Sequence, residues 1–267
     1  MNYPRSFGLW ATMGAWIVLA ACRPTAQRPV QENSPATPAQ PAANQLDLLH
    51  PLAFGMKEGR PAVVGCSERI VEVPFVHRHL PYPFRGRLLD VGYLESEIIY
   101  QASSLGFDTW GIDIRPAAAG FPGVHYVQGD VVKYPFEPKS FDVVIALSTV
   151  EHIGLHAYGN IEADAEGDLH ALQAIHRILK ASGRLLLTVP FGKRGATEWY
   201  RVYDHAALQT LLKNSGFQAA VEDYWAKKDD IHWVPTPWKE AEQVDSVSQG
   251  ARAVACVVAR PLARTGQ

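Results

Sequence analysis

The stretch Arg87-Leu88-Leu89-Asp90-Val91-Gly92 is an apolar, strand-forming run that ends in a carboxylate and a glycine. The pattern returns at Gly111-Ile112-Asp113-Ile114-Arg115-Pro116 and at Gln128-Gly129-Asp130-Val131. A strand buried on both faces reads as a continuous apolar run. In a doubly wound sheet the binding crevice lies beyond the carboxyl ends of such strands. Asp90, Asp113 and Asp130 therefore fall at successive strand ends, where they would line a pocket of nucleoside size.

Strand and helix signals alternate outward from this core. Strands are expected at Arg87–Val91, Thr109–Ile114, His125–Gln128, Phe141–Leu147, Arg184–Val189, Gln218–Tyr224 and Ala251–Ala259. Helices are expected near Ser96–Leu105, at about Asp168–Leu179 with Leu169, Leu172, Ile175, Ile178 and Leu179 at helical spacing, and at His205–Asn214. Ala181-Ser182-Gly183 reads as a helix stop. Such alternation predicts an α/β fold, a Rossmann-like doubly wound and mostly parallel sheet covered on both faces.

The chain has 267 residues, 47% of them hydrophobic, and a formal net charge of -2. That supports one sizeable α/β core and gives no basic surplus pointing to nucleic acid. Residues 1–22 form a separate segment: Arg5 is its only charge, an apolar run follows, and Leu19-Ala20-Ala21-Cys22 closes it. These are the parts of a secretory signal, shorter than the roughly 20 residues of a spanning helix. Leu-Ala-Ala-Cys resembles the bacterial lipoprotein box, which implies lipidation and possible membrane attachment at Cys22. Residues 23–45, rich in Pro, Ala and Gln, read as a disordered linker. Residues 46–267 are the main domain, with a Pro-punctuated preface or lid over 46–83. Cys22, Cys66 and Cys256 have no metal spacing.

Each chemical candidate carries two readings. Gly92 either admits a ligand close to the backbone or makes a tight strand-to-helix turn. Its loop, Gly92-Tyr93-Leu94-Glu95-Ser96, lacks the G-x-G-x-x-G of a dinucleotide site. Asp113 follows Gly92 by about 20 residues, the spacing of a ribose-binding acid; alternatively it pairs with Arg115. Asp130 accepts from the exocyclic amine of adenine while the Val131 N–H donates to the ring, or it caps the next turn. Ser96 caps a helix or binds a carboxylate. Glu151 and His152 follow the fourth strand, where His152 is a candidate general base and both are candidate loop caps. His156, Tyr158, Arg201 and Tyr203 are candidates for contact with a second substrate. Trp199, Tyr200, Trp225, Trp233 and Trp238 are candidates for a stacking wall or for packing.

Taken in order, Asp90-Val91-Gly92, Gly111-Ile112-Asp113, Gly129-Asp130-Val131, Phe141-Asp142-Val143-Val144 and Leu179–Leu185 resemble the motifs of class I S-adenosylmethionine-dependent methyltransferases. Ser148–Leu155, Tyr158-Gly159, Gly167-Asp168, Thr188–Gly192 and Arg201–Asp204 are similar to a bacterial subgroup often associated with surface-glycan gene clusters. The resemblance covers about residues 68–225. It implies a seven-stranded sheet with the last strand antiparallel, and S-adenosylmethionine as cofactor. It further implies cofactor contacts from Asp90, Gly92, Ser96, Asp113, Ile114, Asp130, Val131 and Ser148, and methyl transfer to O or N of a small-molecule or glycan-related acceptor. The metal-holding relatives carry an acid where this chain has Ser148, so no metal is expected.

Two rivals remain beside this reading. One is a degenerate, non-methylating binding module, favoured by the missing glycines. The other is an NAD-dependent enzyme, disfavoured by the Gly92 loop. The cofactor's cytosolic supply favours a cytoplasmic catalytic domain over a lipoprotein anchored at Cys22.

Overall fold

A computed structural model describes residues 51–117, 120–159 and 163–262. The chain divides into two units, Met1–Pro41 and Ala42–Gln267, and every described residue belongs to the second. The expected signal segment, Cys22 and the linker lie outside the described residues.

The preface begins with a hairpin, β1 (Leu52–Lys57) and β2 (Arg60–Cys66), followed by α1 (Arg69–His79). The central elements follow: β3 (Arg87–Val91), α2 (Ile98–Leu105), β4 (Asp108–Asp113), β5 (Val124–Gln128), β6 (Phe141–Leu147), α3 (Gly167–Ile178) and β7 (Leu179–Pro190). A short ribbon, β8 (Gly195–Ala196) with β9 (Arg201–Val202), precedes α4 (His205–Asn214). The chain ends in β10 (Phe217–Lys227), β11 (Trp233–Pro235), α5 (Trp238–Ala241) and β12 (Ala253–Pro261).

One sheet of 8 strands runs in the order β11-β10-β12-β7-β6-β3-β4-β5. It is parallel from β5 to β7, and β12 inserts antiparallel to both β7 and β10. The expected antiparallel last strand is present; β11 adds a short eighth strand at the edge. Strand alternation divides the core into two layers. Leu89, Val91, Val144 and Leu187 pack under α3 and α4, whereas Leu88, Val143, Ile145 and Leu186 pack with Phe75 and Val76 of α1 and Ile98 and Ala102 of α2.

Two local expectations shift. Helix α3 ends at Ile178, because Leu179 (φ -78°, ψ 135°) is already extended. In the β6–β7 pairing Phe141 faces Leu179 but Val143 faces Arg184, so the presumed stop at Ala181-Ser182-Gly183 bulges within a strand. Within the expected Pro-punctuated preface, the run Ile70–Val76 is helical despite Pro74. Burial of Val71, Phe75 and Val76 against β7 and β12 overrides its β-branched composition.

Leu187, fully buried at the sheet centre, gives a direct check of this core. Leu187→Ala is expected to cost about 2–5 kcal/mol in urea unfolding, whereas truncating the exposed Phe54 should cost under about 0.5 kcal/mol.

Candidate functional site

The carboxyl ends of β3, β4, β5 and β6 open into one cavity of about 220 Å³, lined in part by Val91, Gly92, Asp113, Ile114, Arg115, Asp130, Val131, Ser148, Thr149, His152 and Tyr158. Gly92, at the end of β3, has a left-handed φ of 77°. A Cβ there would stand 2.5 Å from Thr149 Oγ1, the hydroxyl that reaches the carbonyls of Val91 (3.1 Å) and Leu147 (3.0 Å). Neither Tyr93 nor Leu94 lines this space: Tyr93 is buried against Gly111 and stacks near Tyr126.

Asp113 sits at the tip of β4 with its side chain only 4% exposed. Oδ1 accepts from the Arg115 backbone N–H (2.9 Å) and Nε (3.0 Å), and Oδ2 from Arg115 Nη2 (3.0 Å). Arg115 Nη1 also donates to Glu95 Oε1 at 2.7 Å, and the Tyr158 hydroxyl donates to Glu95 Oε2 at 3.1 Å. The Arg115 guanidinium lies 4.4 Å from the Tyr158 ring. Burial, aided by Glu95, holds the Tyr158 hydroxyl above its ordinary pKa. The two readings of Asp113 thus coincide: it lines the cavity, and it is paired with Arg115.

Asp130 also combines both readings. It lines the cavity, and Oδ1 accepts from the Val132 N–H at 2.9 Å, capping the turn. Val131 is buried in the main core and also reaches the cavity. Ser148 has a left-handed φ of 44°, and its hydroxyl donates to Glu72 Oε1 at 2.6 Å.

His152 lines the cavity with its Nδ1 2.6 Å from the Trp199 carbonyl. A carbonyl only accepts, so Nδ1 carries the proton and Nε2 keeps its lone pair. Burial lowers the imidazole pKa, which leaves it neutral near pH 7. Tyr158 packs edge-on at 5.2 Å, and the rings of Trp199 and Tyr200 approach at 6.1 and 6.3 Å. The other expected wall residues are elsewhere: Trp225 packs on the second core layer, Trp233 donates to the Cys66 carbonyl, and Trp238 stacks on His205.

Six expected site residues do not line the cavity. Asp90 points into the protein, 1% exposed, with neither carboxyl oxygen hydrogen-bonded among the described residues. Ser96 caps the next helix, accepting from the Ile98 N–H at 3.1 Å. Glu151 is 1% exposed behind His152, its Oε1 3.8 Å from His152 Nε2. His156 is exposed to solvent away from the cavity. Arg201 donates to the carbonyls of Ile153 (2.7 Å) and Asp164 (3.1 Å), stapling the loop after β6. Tyr203 is buried and donates to Asp168 Oδ2 at 2.8 Å. Strand-end position predicted the first and third of these, but strand alternation and the tight turn carry those side chains inward.

Arg69 lines the cavity from α1, although no sequence signal pointed to it. Pro74 concealed that helix, and with it the cation. Thr149 carries no sequence signal either, and Arg115 enters the sequence reading only as a partner for Asp113. Among the described residues there is no group of three potential metal ligands, and no helix is long and apolar enough to cross a membrane.

Residues 130–251 match the family model described as "Caenorhabditis protein of unknown function, DUF268". No curated protein matches the chain in sequence. Solved structures do. A Bacillus halodurans protein assigned as a methyltransferase shares 14% identity, with 73% of this chain and 100% of that chain covered and a TM-score of 0.51. A Methanosarcina mazei S-adenosylmethionine-dependent methyltransferase shares 16%, covering 71% and 97%, at 0.50. Haemonchus contortus phosphoethanolamine N-methyltransferase 2, solved with S-adenosylmethionine, shares 18%, covering 71% and 52%, at 0.50. The fold is therefore that of the class I methyltransferases.

Burial raises the Asp90 carboxyl from 3.8 to about 8. The folded chain then keeps a proton that the unfolded chain has released, so the stability this group contributes declines as pH rises from about 4 to about 8. Unfolding free energy measured in urea at pH 5 and at pH 8 should fall more for the wild type than for Asp90→Asn, the gap being on the order of a few kcal/mol. Parallel pH profiles would contradict the placement of Asp90.

Proposed function

We propose that this protein is an S-adenosylmethionine-dependent methyltransferase acting on O or N of a small-molecule or glycan-related acceptor. The observation that carries the reading is the single cavity in which Gly92, Asp113, Asp130, Val131 and His152 converge. The residues fit the donor: Gly92 leaves room beside the backbone, Asp113 offers a carboxyl to ribose hydroxyls, and Asp130 with Val131 stands where an adenine amine and ring nitrogen would be read. Ile114, 42% exposed in the same wall, offers an apolar face to the base.

When bound, the donor supplies an electrophilic methyl group on a sulfonium. The chain's part is alignment, exclusion of water and management of one proton. His152 is held in one tautomer by the Trp199 carbonyl, so its Nε2 lone pair is free to take a proton from an acceptor hydroxyl or ammonium. Tyr158 and Trp199, 5.0 Å apart, form an aromatic edge against which a ring-shaped acceptor packs. Glu151, buried behind the imidazole with its carboxyl pushed well above the ordinary carboxylate range by burial, positions the loop. The catalytic domain is assigned to the cytoplasm, where such a donor is made.

A second reading draws on one feature. Arg115 occupies both oxygens of Asp113, so a degenerate module that no longer admits ribose would look similar here. Calorimetric titration of the chain with S-adenosylhomocysteine separates the two. Micromolar binding that weakens at least tenfold (about 1.4 kcal/mol) in Asp113→Ala supports the enzyme, and absence of binding removes it. With an acceptor found by screening metabolites against a labelled methyl donor, His152→Ala should lower kcat by about 10²–10⁴.

A further inference from the structure

Arg115 holds both oxygens of Asp113: its backbone N–H and Nε donate to Oδ1 at 2.9 and 3.0 Å, and Nη2 donates to Oδ2 at 3.0 Å. These are the oxygens that the hydroxyl pair of a ribose would use. A bidentate guanidinium–carboxylate pair is a strong contact to displace. The Arg115 side chain is nevertheless 29% exposed, and its Nη1 is anchored to Glu95 Oε1 at 2.7 Å, so it can leave Asp113 and keep a charged partner. Glu95 follows β3, Arg115 follows β4 and Tyr158 follows β6, and all three line the cavity together with Asp113. The network therefore ties three loops around one opening. That opening measures about 220 Å³, below the roughly 300–1,000 Å³ of pockets that hold drug-sized ligands.

Tyr158 carries the strain of this arrangement. Its backbone is left-handed (φ 55°, ψ 27°), which is rare for a bulky side chain. Such a conformation persists only where the surroundings over-determine it. Here the hydroxyl donates to Glu95 Oε2 at 3.1 Å, the ring lies 4.4 Å from the Arg115 guanidinium, and His152 meets it edge-on at 5.2 Å. The contacts to Glu95 and Arg115 belong to the network at Asp113; the contact to His152 belongs to the acceptor side. We infer that Arg115 is an autoinhibitory latch: it occupies Asp113 in the free protein, is displaced by the hydroxyl pair of a nucleoside, and on leaving releases Tyr158 beside His152. The inference rests on the methyl-donor reading and adds regulation of the same site. Entry of a nucleoside at Asp113 is thereby linked to the Tyr158–Trp199 edge against which the acceptor packs. A degenerate module would keep the Arg115 contact permanently, whereas a latch opens.

Calorimetry with S-adenosylhomocysteine on the full chain tests the latch. Arg115→Ala should bind at least fivefold more tightly than the wild type, because the competitor is gone and alanine adds no contact of its own. Tyr158→Phe loses only the bond to Glu95 and leaves Asp113 paired; it should bind at least twofold more tightly. The double variant should gain no more than Arg115→Ala alone, since both substitutions open one device. If Arg115→Ala does not fold because Asp113 is left buried without its partner, Tyr158→Phe carries the comparison. Weaker or unchanged binding in either folded variant overturns the latch and leaves the methyl-donor reading standing. So does a double variant whose gain is the product of the two single gains. Failure of the wild type and of both variants to bind overturns the latch and the methyl-donor reading together.

Discussion

The meeting of β3 and β6 at Gly92 governs the rest of the structure. The two strands run parallel at the centre of the sheet, Val91 beside Ala146, and both chains must turn at the same level. Thr149 bridges them by reaching the carbonyls of Val91 and Leu147, which places its side chain where a Cβ on residue 92 would lie. Only glycine tolerates both that contact and the left-handed backbone. Because this turn is tight, the loop after β3 leaves the crevice open instead of filling it. The cavity is thus a consequence of strand pairing combined with one missing side chain.

Around that opening the polar groups form two systems that lie on different residues. Asp113, Arg115, Glu95 and Tyr158 make a connected network on the β4 side, with every carboxylate oxygen of Asp113 and Glu95 in hydrogen-bond contact. Arg69, Glu72 and Ser148 make the other beneath β6, beside the Asp90 and Glu151 carboxyls, both of which burial raises above their ordinary pKa. The first network is self-satisfied, and a ligand at Asp113 must compete with Arg115 for it. The second keeps one donor, Arg69 Nε, without a partner among the described residues.

The sheet was legible in the sequence because its strands are apolar runs bounded by glycine and acid. The edges of β3 and β6 agree with the expected residues, and the strand-end acids Asp113 and Asp130 do reach the cavity. What the sequence concealed was orientation and long-range pairing. Asp90 stands one residue before the strand end and so faces inward, a distinction of one step in a period of two. Arg201 and Tyr203 looked like substrate contacts because they are polar and follow β7, but their partners are loop carbonyls and Asp168, brought near only by the fold. Helix α1 was hidden by Pro74 and by a β-branched run; only its burial against β7 and β12 makes it helical, and Arg69 was hidden with it.

This pattern of legibility follows from where the information lies. A motif reports local geometry, such as a strand end, a turn or a cap, and residues 87–130 carry much of theirs locally. Arg69, by contrast, reaches the cavity from a helix whose existence depends on packing against strands more than a hundred residues away in sequence. What the sequence could not report is therefore the pairing of Arg69 with Glu72, which only the packing of α1 on the sheet brings to the end of β6.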